Sequence, residues 1–412
     1  MHYRSRGRKT HHRTHHQDAT ALKAIQSFSL HAGGLLVNRL VLKMAFGFIN
    51  VFVPILLYQN FGVRILGIYI LMSLIILFLT PISAMLLSRY GVRRLIAVSI
   101  PFAAMSVWAL SLHNVAPGYS PFWAALLFTV FFAIHHSLYW VPYHVDFVHS
   151  LTKQHRGAVL GWYEDLLELV SVATPLIGAV LIVLTGFSDT LLFVSLLCLM
   201  SLFPVYYVHE IYERFSWTYF ETFQRMFNRK HRHILVGYGA DGAQLAVATI
   251  LWPIFLFELM SEKYIAVGII TTLTLLAILV LNMSLGYLID KFGPERLVRW
   301  GVVLSMTGWL LKSFVGSPFQ VFMVDTYHKF GDAVMRLSRN VTGYASAVDS
   351  GHYVDEYTTI AEMSYQLGKI VMLIIAGVLI TYFGFRAVFF VTGFATLFLI
   401  VFRHHLAFHH GR

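Results

Sequence analysis

The sequence has little charge and a single cysteine. Only 12% of its 412 residues are charged, against roughly 25% in ordinary soluble domains, whereas 57% are hydrophobic. A soluble core cannot cover that much apolar surface, so the composition indicates a protein whose solvent is the lipid bilayer. The lone cysteine, Cys198, lies within an apolar run, which excludes an intramolecular disulfide and makes redox chemistry unexpected.

The chain also lacks a cleavable signal pattern and the motifs of common enzymes. Residues 1–17 are polar, basic and rich in histidine, with no apolar segment among them. The four histidines within 11–16 could bind a metal, but a basic tail is the simpler interpretation. The apolar segments contain no nucleophile elbow, phosphate loop or pair of histidines at metal-ligand spacing. We therefore expect no enzymatic activity, no cofactor and no metal site.

What the sequence does have is long apolar segments. A bilayer core of about 30 Å requires roughly 20 apolar residues per helix, and twelve segments meet this requirement. The fourth, seventh, tenth and eleventh segments carry polar residues, so they are the weakest of the predicted spans. The predicted spans are 35–58, 63–88, 95–112, 121–148, 157–185, 188–208, 233–258, 264–288, 296–315, 318–342, 357–382 and 386–405.

The basic residues predict the orientation of these spans. A net charge of +11 could indicate a nucleic-acid partner, but the excess Lys and Arg lie between apolar runs, after spans two, four, six and eight. The loops 113–120 and 314–317 on the other side contain no Lys or Arg. Cytoplasmic loops of membrane proteins are enriched in these residues, so we expect a multi-pass protein of the cell membrane with both termini in the cytoplasm.

The same pattern divides the chain into five parts. We expect a basic tail over 1–32, a six-helix bundle over 33–209, a linker over 210–232, a second bundle over 233–406 and a tail over 407–412. Within the linker, apolar residues recur at helical spacing beside several cations, which favours a helix lying in the membrane interface over a solvated connector. These apolar residues are Phe215, Tyr219, Phe223 and Met226.

The chain resembles itself at an offset of about 200 residues. Three pairs of segments match in the same order along the two halves, which indicates two six-helix repeats. Such repeats are a common arrangement in transporters. The pairs are LLSRYGVRRL (86–95) with LIDKFGPERL (288–297), GYSPF (118–122) with VGSPF (315–319), and GAVLIVLTGF (178–187) with AGVLITYFGF (376–385).

At these positions the sequence resembles the major facilitator superfamily, whose signature loop G-x-x-x-D-[RK]-x-G-x-[RK]-[RK] joins helices two and three and recurs between helices eight and nine. The second copy is nearly complete, with Glu295 in place of one basic residue; the first has Ala84 and Ser88 in place of its glycine and aspartate. The resemblance spans the whole chain. It implies an all-α integral membrane protein with twelve transmembrane helices in two pseudo-symmetric six-helix bundles, acting as a monomer. The matching positions are Arg89, Gly91, Arg93, Arg94, Gly286, Asp290, Lys291, Gly293 and Arg296.

These loop residues are candidates for a conformational gate. Their cations could pair with acidic groups across the interface between the halves and so hold the cytoplasmic side shut. Because Ser88 cannot supply a charge, we expect Asp355 and Glu356 to meet Arg89 or Arg93. The alternative is that the basic residues only set the topology.

A second motif of the same family gives weaker evidence, which concerns the direction of transport. Antiporters of this superfamily often carry G-x8-G-x3-G-P-x-x-G-G in the fifth span. This chain matches it at Gly161, Pro175 and Gly178 and departs from it at Val170, Thr174 and Ala179. The partial match favours export. The arginine motif usual in the fourth span of proton antiporters is missing, and that span has adjacent histidines instead.

Ionisable and polar residues recur on single faces of several spans. Such groups cost at least ~2.5 kcal/mol each at membrane depth, so they usually face a cavity or one another. On span ten, Asp325, Lys329, Asp332, Arg336 and Arg339 follow steps of three and four, which is one helix face. The resemblance implies that helices one, four, seven and ten line the cavity. The alternative is structural ion pairs, such as Asp325 with Lys329 or Asp332 with Arg336. The candidate cavity residues are Arg39, Lys43, Asn50, His136, Tyr139, Trp140, Tyr143, Asp241, Gln244, Asp325, Lys329, Asp332 and Arg336.

Some of these groups are also candidates for proton coupling. A carboxylate in apolar surroundings can take up a proton near neutral pH, and imidazole titrates near pH 6.5. We expect a secondary active transporter of a small organic solute, proton-coupled and working towards efflux, with no nucleic-acid partner. A facilitator or importer of a sugar or metabolite, and a non-transporting membrane sensor or assembly factor, are the alternatives. The candidates are Glu164, Asp165, Glu168, Asp325, Glu362 and His135.

Overall fold

The computed structural model describes residues 32–112, 120–150, 156–282, 292–349 and 354–401, together with Leu285 and Leu288. These residues form helices, turns and short connections, without a strand in the described ranges. Helices are the expected result, because a chain inside a bilayer must satisfy its backbone hydrogen bonds within each segment. Both predicted tails lie almost wholly outside the described residues.

The first half contains helices α1 to α6. Helix α1 has two segments, 32–49 and Phe52–Phe61. The stretch Arg156–Met200 is two helices divided at Gly186, with α5 before this glycine and α6 after it. A one-turn helix, Leu202–Val205, follows. The other helices are α2 Ile65–Tyr90, α3 Val92–Ser111 and α4 Pro121–Ser150.

The second half contains helices α7 to α12. Helix α7 consists of Arg232–Ala246 and Trp252–Leu259, joined by a π-helical turn over Val247–Leu251. A 3-10 turn, Leu397–Val401, extends α12. The other helices are α8 Tyr264–Asn282, α9 Pro294–Lys312, α10 Pro318–Asp349, α11 Val354–Phe383 and α12 Phe385–Thr396.

Two prolines explain why α1 and α7 are irregular near their middles. Proline has no N–H and its ring clashes with the carbonyl four residues earlier. In α1 the break at 50–51 lies just before Pro54, and in α7 the π-helical turn ends just before Pro253. The two prolines occupy corresponding positions of the sequence repeat, so the two halves share a broken first helix.

Four glycine turns give further evidence for the repeat. Gly91 and Gly293 separate α2 from α3 and α8 from α9, with φ of 78° and 77°. Gly186 and Gly384 separate α5 from α6 and α11 from α12, with φ of 86° and 79°. Their ψ values of 150° to 178° complete a conformation that a side chain strongly disfavours. The corresponding turns of both halves therefore depend on the same residue type.

Seven helical stretches within the described residues are long and apolar enough to cross a membrane. Two of them, Ala32–Tyr90 and Trp162–Val205, each cover two predicted spans. Helices α9 and α10 are outside this set, and α12 belongs to a shorter apolar helix, Phe385–Ile400. Helix α10 is too polar for this set because it carries the charged stripe predicted from the sequence.

The two halves pack through a few helix pairs. Helix α2 packs on α11, α5 packs on α8, and α4 also touches α11. We call the end of the bundle that carries the linker the linker side, and the other end the opposite side. On the opposite side the second segment of α1 packs on the second segment of α7. There Tyr58 Oη donates to Glu258 Oε1 over 2.8 Å, and Tyr264 Oη donates to Gln59 Oε1 over 2.7 Å.

The linker contains a short helix, Tyr219–Met226, begun by a capping box between Thr218 and Glu221. This helix packs on α2 and α11 and so touches both halves. Met226 is buried, and the rings of Phe223 and Phe78 lie 5.8 Å apart. Phe223 and Met226 thus pack against apolar side chains of α2 and α11, whereas Phe220 of the same helix is exposed. That this helix lies in the membrane interface stays a prediction.

Candidate functional site

An aromatic cluster surrounds Arg39 on the side of α1 that faces α4. The guanidinium carbon lies 4.5 Å from the ring centroid of Trp140 and 5.6 Å from that of Tyr143. Ring faces attract cations, so these contacts stabilise the charge at depth. Arg39 Nε has no hydrogen-bond partner within the described residues. Tyr139, also predicted for the cavity, is buried and donates to Asn38 Oδ1 over 2.9 Å.

A cluster of both signs lies where α1, α5 and α10 approach one another. Lys43 interacts electrostatically with Glu164 and Glu168, and also with Arg336 of the other half. Arg336 in turn interacts with both glutamates and lies 3.8 Å from Asp332. Its side chain is 55% exposed although it interacts with charges on α1, α5, α7 and its own helix. The structure therefore brings predicted residues from both halves into one solvent-accessible group.

A polar contact joins the halves between α4 and α11. His136 Nε2 donates to Glu362 Oε1 over 2.7 Å, and Gln366 Nε2 donates to the same oxygen over 2.7 Å. Both members of the ion pair are only 13–14% exposed. Lys369 adds an electrostatic interaction with Glu362. The predicted proton-coupling residue Glu362 thus contacts a predicted cavity residue of the other half.

A second ion-pair cluster is enclosed within the C-terminal half. Asp325 is 2.8 Å from Lys312 Nζ and 3.2 Å from Lys329 Nζ. The Lys312 side chain is only 1% exposed, and its ammonium lies 4.2 Å from the ring centroid of Trp252 and 4.4 Å from that of Trp309. The pairing of Asp325 with Lys329 was one of the structural alternatives considered for α10, and it is present.

Lys312 is not among the residues predicted from the sequence. It ends the apolar run of α9, where a lysine usually extends to the membrane interface. The signal that could have found it is Trp309 one turn earlier, since an indole stabilises a buried ammonium.

Gln244 connects α7 to α10. Its Nε2 donates to Asp332 Oδ1 over 2.9 Å, and its Oε1 accepts a hydrogen bond from Ser305 Oγ over 3.2 Å. Asp241 is partly buried one turn earlier on α7 and interacts electrostatically with Arg336. The predicted residues of α7 and α10 therefore lie together.

The loop residues are arranged differently from the predicted gate. Arg93 Nε lies 3.2 Å from Glu210 Oε2, so its partner is in the linker rather than at the start of α11. Glu356 instead accepts a hydrogen bond from Ser216 Oγ over 2.6 Å. The expected pairing of Arg89 or Arg93 with Asp355 or Glu356 is wrong for this conformation, because the linker residues lie between the two groups.

The other loop residues add little to that arrangement. Arg89 lies over the ring of its neighbour Tyr90, 5.4 Å from the centroid, and Arg94 and Arg296 are exposed. Gly286, Asp290 and Lys291 lie outside the described residues, as does the side chain of Arg339.

Three predicted residues remain to be placed. Asn50 is exposed at the break in α1. Asp165 is exposed on α5, where it interacts electrostatically with Glu164 and Glu168. His135 is buried, and its Nδ1 lies 3.0 Å from the carbonyl oxygen of Ser99 on α3. The contact of His135 suits a residue that holds α4 against α3. Within the described ranges, no three His, Cys, Asp or Glu side chains converge as metal ligands would.

Comparisons with known proteins agree on one family. The sequence profile of the Major Facilitator Superfamily matches residues 35–220 and 234–408. A multi-drug resistance efflux pump PmrA homolog from Lactococcus lactis subsp. lactis (strain IL1403) is 24% identical over 256 residues, which cover 57% of this chain and 60% of that protein. The alignment thus spans less than two thirds of the relative.

Solved structures with the same fold cover nearly the whole chain. The human organic anion transporter MFSD10 (TETRAN) superposes with a TM-score of 0.69 at 12% identity, covering 91% of this chain and 99% of that one. A bacterial homologue of the iron transporter ferroportin in an outward-facing state gives a TM-score of 0.66 at 15% identity, covering 91% and 98%. At such identities the likeness concerns the fold alone, and it confirms the predicted all-α membrane fold class.

Proposed function

Because the chain belongs to the major facilitator superfamily, we propose that it is a secondary active transporter that moves a small charged or zwitterionic organic solute by alternating access. One observation carries this proposal. Lys43, Glu164, Glu168, Asp332 and Arg336 come from both halves and form one group of mixed sign at the interface between them. Charged groups at membrane depth that remain accessible to solvent are typical of a substrate or ion path.

The contacts between the halves support alternating access. Those described on the opposite side include hydrogen bonds from Tyr58 and Tyr264, packing of the two broken helix segments, and ring contacts such as that of Tyr58 with Phe385. The contact of His136 with Glu362 lies farther towards the linker side. Such polar contacts can break and re-form as the halves rock around a central site, which is the usual motion of transporters built from repeats.

The charges in the interface support the choice of solute. Arg39 and Lys43 offer cationic groups and Glu164, Glu168 and Asp332 offer carboxylates, so a ligand with one or both signs gains more there than a hydrocarbon. Trp140 and Tyr143 supply aromatic surface beside Arg39.

Export is the direction that the sequence favours. The partial antiporter motif on α5 and the similarity to a protein named as an efflux pump both support it. A facilitator or importer of a sugar or metabolite uses the same fold and is the alternative. We further propose that the protein acts as a monomer in the cell membrane with the linker side in the cytoplasm.

Protons are the proposed coupling ion. Glu164, Glu168 and Glu362 each lie at the contact between the halves and interact with a cation or an imidazole. A carboxylate that exchanges such a partner for a proton changes the contacts between the halves, which links proton uptake to the conformational change.

Flux through the purified protein tests the proposal. The protein is reconstituted in liposomes, a pH gradient is imposed, and anionic, cationic, zwitterionic and neutral solutes are offered while internal pH is recorded. We expect one charged or zwitterionic class to move with an opposing proton flux, and Glu168→Gln to abolish the proton signal. Glu221→Gln is the control, because this glutamate lies in the linker helix and pairs only locally with Arg225. Solute flux without any proton signal would contradict the coupling.

A sensor or assembly factor on the same fold is the second candidate. The incomplete first signature loop, with Ala84 and Ser88, favours it because a protein without transport has no need of a working gate. The flux experiment separates the two, since a sensor would move none of the four solute classes.

A further inference from the structure

A continuous series of hydrogen bonds runs through the interior of the C-terminal half. It starts at the buried ammonium of Lys312, which lies 3.2 Å from His328 Nδ1. His328 Nε2 lies 3.3 Å from Ser305 Oγ, Ser305 Oγ lies 3.2 Å from Gln244 Oε1, and Gln244 Nε2 lies 2.9 Å from Asp332 Oδ1. This series of hydrogen bonds thus joins α9, α10 and α7. It ends at Asp332, which belongs to the group of mixed sign at the interface between the halves.

The chemistry of its two ends fixes the direction of every bond. A protonated lysine has only donors and an ionised aspartate has only acceptors. His328 Nδ1 must therefore accept from Lys312, which leaves the ring proton on Nε2 to be donated to Ser305. Ser305 donates to Gln244 Oε1, and the Gln244 amide donates to Asp332. All four donors point from the cation towards the carboxylate.

Burial keeps this arrangement from being replaced by bonds to water. Lys312, His328, Ser305 and Gln244 are all buried, and only Asp332, with 22% exposure of its side chain, meets the solvent-accessible group. A Cβ at Gly308 would lie 2.8 Å from the Cα of His328, so α9 approaches α10 closely at this point. His328 therefore has little room to leave its two partners.

We propose that this donor chain couples the ionisation of Asp332 to the buried Lys312–Asp325 pair, with Ser305 and His328 as its positioning residues. The inference rests on the proposed proton-coupled transport. When Asp332 takes a proton from solvent onto its carboxylate oxygen, Gln244 donates to a neutral instead of a charged acceptor, while Ser305 and Thr396 still donate to its Oε1. The donation from His328 Nε2–H through Ser305 then weakens, although Lys312 continues to donate to His328 Nδ1 and keeps the ring proton on Nε2. No proton travels along this series, because the Gln244 amide does not act as an acid; the series transmits a change in hydrogen-bond strength.

Other charges near the two ends could also affect His328. Arg336 lies beside Asp332, with Asp241, Glu164, Glu168 and Lys43 interacting with that arginine. Asp325 and Lys329 lie beside Lys312. Replacing Ser305 interrupts the chain and leaves every one of these charges in place, so it is the most selective variant.

The test is nitrogen-15 NMR of the histidine-labelled full-length protein in lipid nanodiscs. A His328→Gln sample identifies the two ring signals of His328 by their absence. In the wild type we expect separate Nδ1 and Nε2 signals of a fixed Nε2–H form at high pH, with one step in their shifts as the pH is lowered. Asp332→Asn and Ser305→Ala should both lose that step. Ser313→Ala is the control, since Ser313 is a buried serine directly after α9 that donates to the Arg386 carbonyl over 3.1 Å and takes no part in the hydrogen-bond series. This variant should retain the step.

A step in the histidine signals that persists in Ser305→Ala or Asp332→Asn would overturn the proposal. A wild type without any step would overturn it as well. Because the experiment needs no solute, its failure beside positive liposome flux would remove the coupling chain and leave the transporter assignment in place.

Discussion

At the scale of single residues, the ion pair between Lys312 and Asp325 is the most deeply buried charge contact described. Removing one partner of a buried pair leaves the other uncompensated, at a cost of about 3–5 kcal/mol. We expect Lys312→Met to lower the free energy of unfolding by about 3 kcal/mol, because Lys329 still offers Asp325 one ammonium. The measurement is unfolding in mixed micelles titrated with a denaturing detergent.

The matched control for this prediction is Lys329→Met. It removes the other partner of the same carboxylate, but its side chain is 30% exposed, so a loss below about 1 kcal/mol is expected. The double variant Lys312→Met/Asp325→Leu should recover most of the stability, since no unpaired buried charge remains. Equal losses for the two single lysine variants would show that burial of the Lys312–Asp325 pair does not set its contribution to stability.

The contact of His136 with Glu362 gives a second prediction at this scale. A charged hydrogen bond stabilises by about 1.5–3 kcal/mol and a neutral one by about 0.5–1.5, so Glu362→Gln should weaken the contact by roughly 1.4 kcal/mol. This corresponds to about a tenfold shift of the conformational equilibrium. We expect spin labels on the exposed residues Arg94 and Arg296 to report a larger population of long distances across the linker side.

An exposed pair supplies the control for the spin-label measurement. Glu221→Gln breaks the contact with Arg225 inside the linker helix, which does not join the halves. Its distance distribution should match the parent protein, in which the buried Cys198 is replaced. An identical distribution for Glu362→Gln would show that His136 and Glu362 do not hold the halves together.

Sequence alone could predict many of the residues that the structure brings together at the candidate site, but not their partners. The helical spacing of Asp325, Lys329, Asp332 and Arg336 correctly placed them on one helix, because the period of a helix is fixed by its geometry. The partner of Asp325 on α9 could not be foreseen, since contact between two helices depends on their packing. For the same reason Arg93 pairs with Glu210 and not with the acidic residues of α11.

At the scale of elements, the glycine turns between helices carry a stability prediction. Gly384 has a φ of 79° and a ψ of 178°, which costs a residue with a side chain about 1–3 kcal/mol. We therefore expect Gly384→Ala to destabilise the protein by that amount, measured as the shift of thermal unfolding in detergent. Gly186 occupies the corresponding position of the first half and has a φ of 86°, so Gly186→Ala should destabilise the protein by a similar amount.

A glycine inside a helix provides the comparison. Gly67 lies in α2, and a Cβ there would meet no atom within 4 Å. Alanine is favoured over glycine in a helix interior by up to about 1 kcal/mol, so Gly67→Ala should be neutral or slightly stabilising. Destabilisation of equal size at Gly67 and Gly384 would mean that the turn conformation is not the cause.

Most of the element boundaries follow from the sequence, because apolar length and the prolines and glycines act locally. Pro54 and Pro253 mark irregular points in α1 and α7, and the four glycine turns lie within the segments that match between the two halves. The linker helix is the instructive exception. Its spacing was recognised, but whether its apolar face meets lipid or protein depends on the surfaces of α2 and α11, which spacing does not reveal.

At the scale of the whole molecule, the internal repeat made the fold predictable. Matching segments at one offset, together with spans of membrane length, restrict the chain to two similar bundles. The repeat does not predict which residues meet at the interface between the bundles. The polar contacts of Tyr58 and Tyr264 involve residues far apart in sequence, and they depend on the conformation that the protein adopts.

The most direct test of alternating access is a reversible cross-link across the opposite side. Tyr58 and Glu258 are replaced by cysteines in a protein without Cys198, joined by a bifunctional thiosulfonate reagent, and reconstituted in liposomes. We expect the cross-linked protein to lose its pH-driven solute flux and to regain it on reduction, while a Tyr58→Cys single variant treated in the same way is unaffected. Undiminished flux through the cross-linked protein would exclude alternating access, since its opposite side could no longer open.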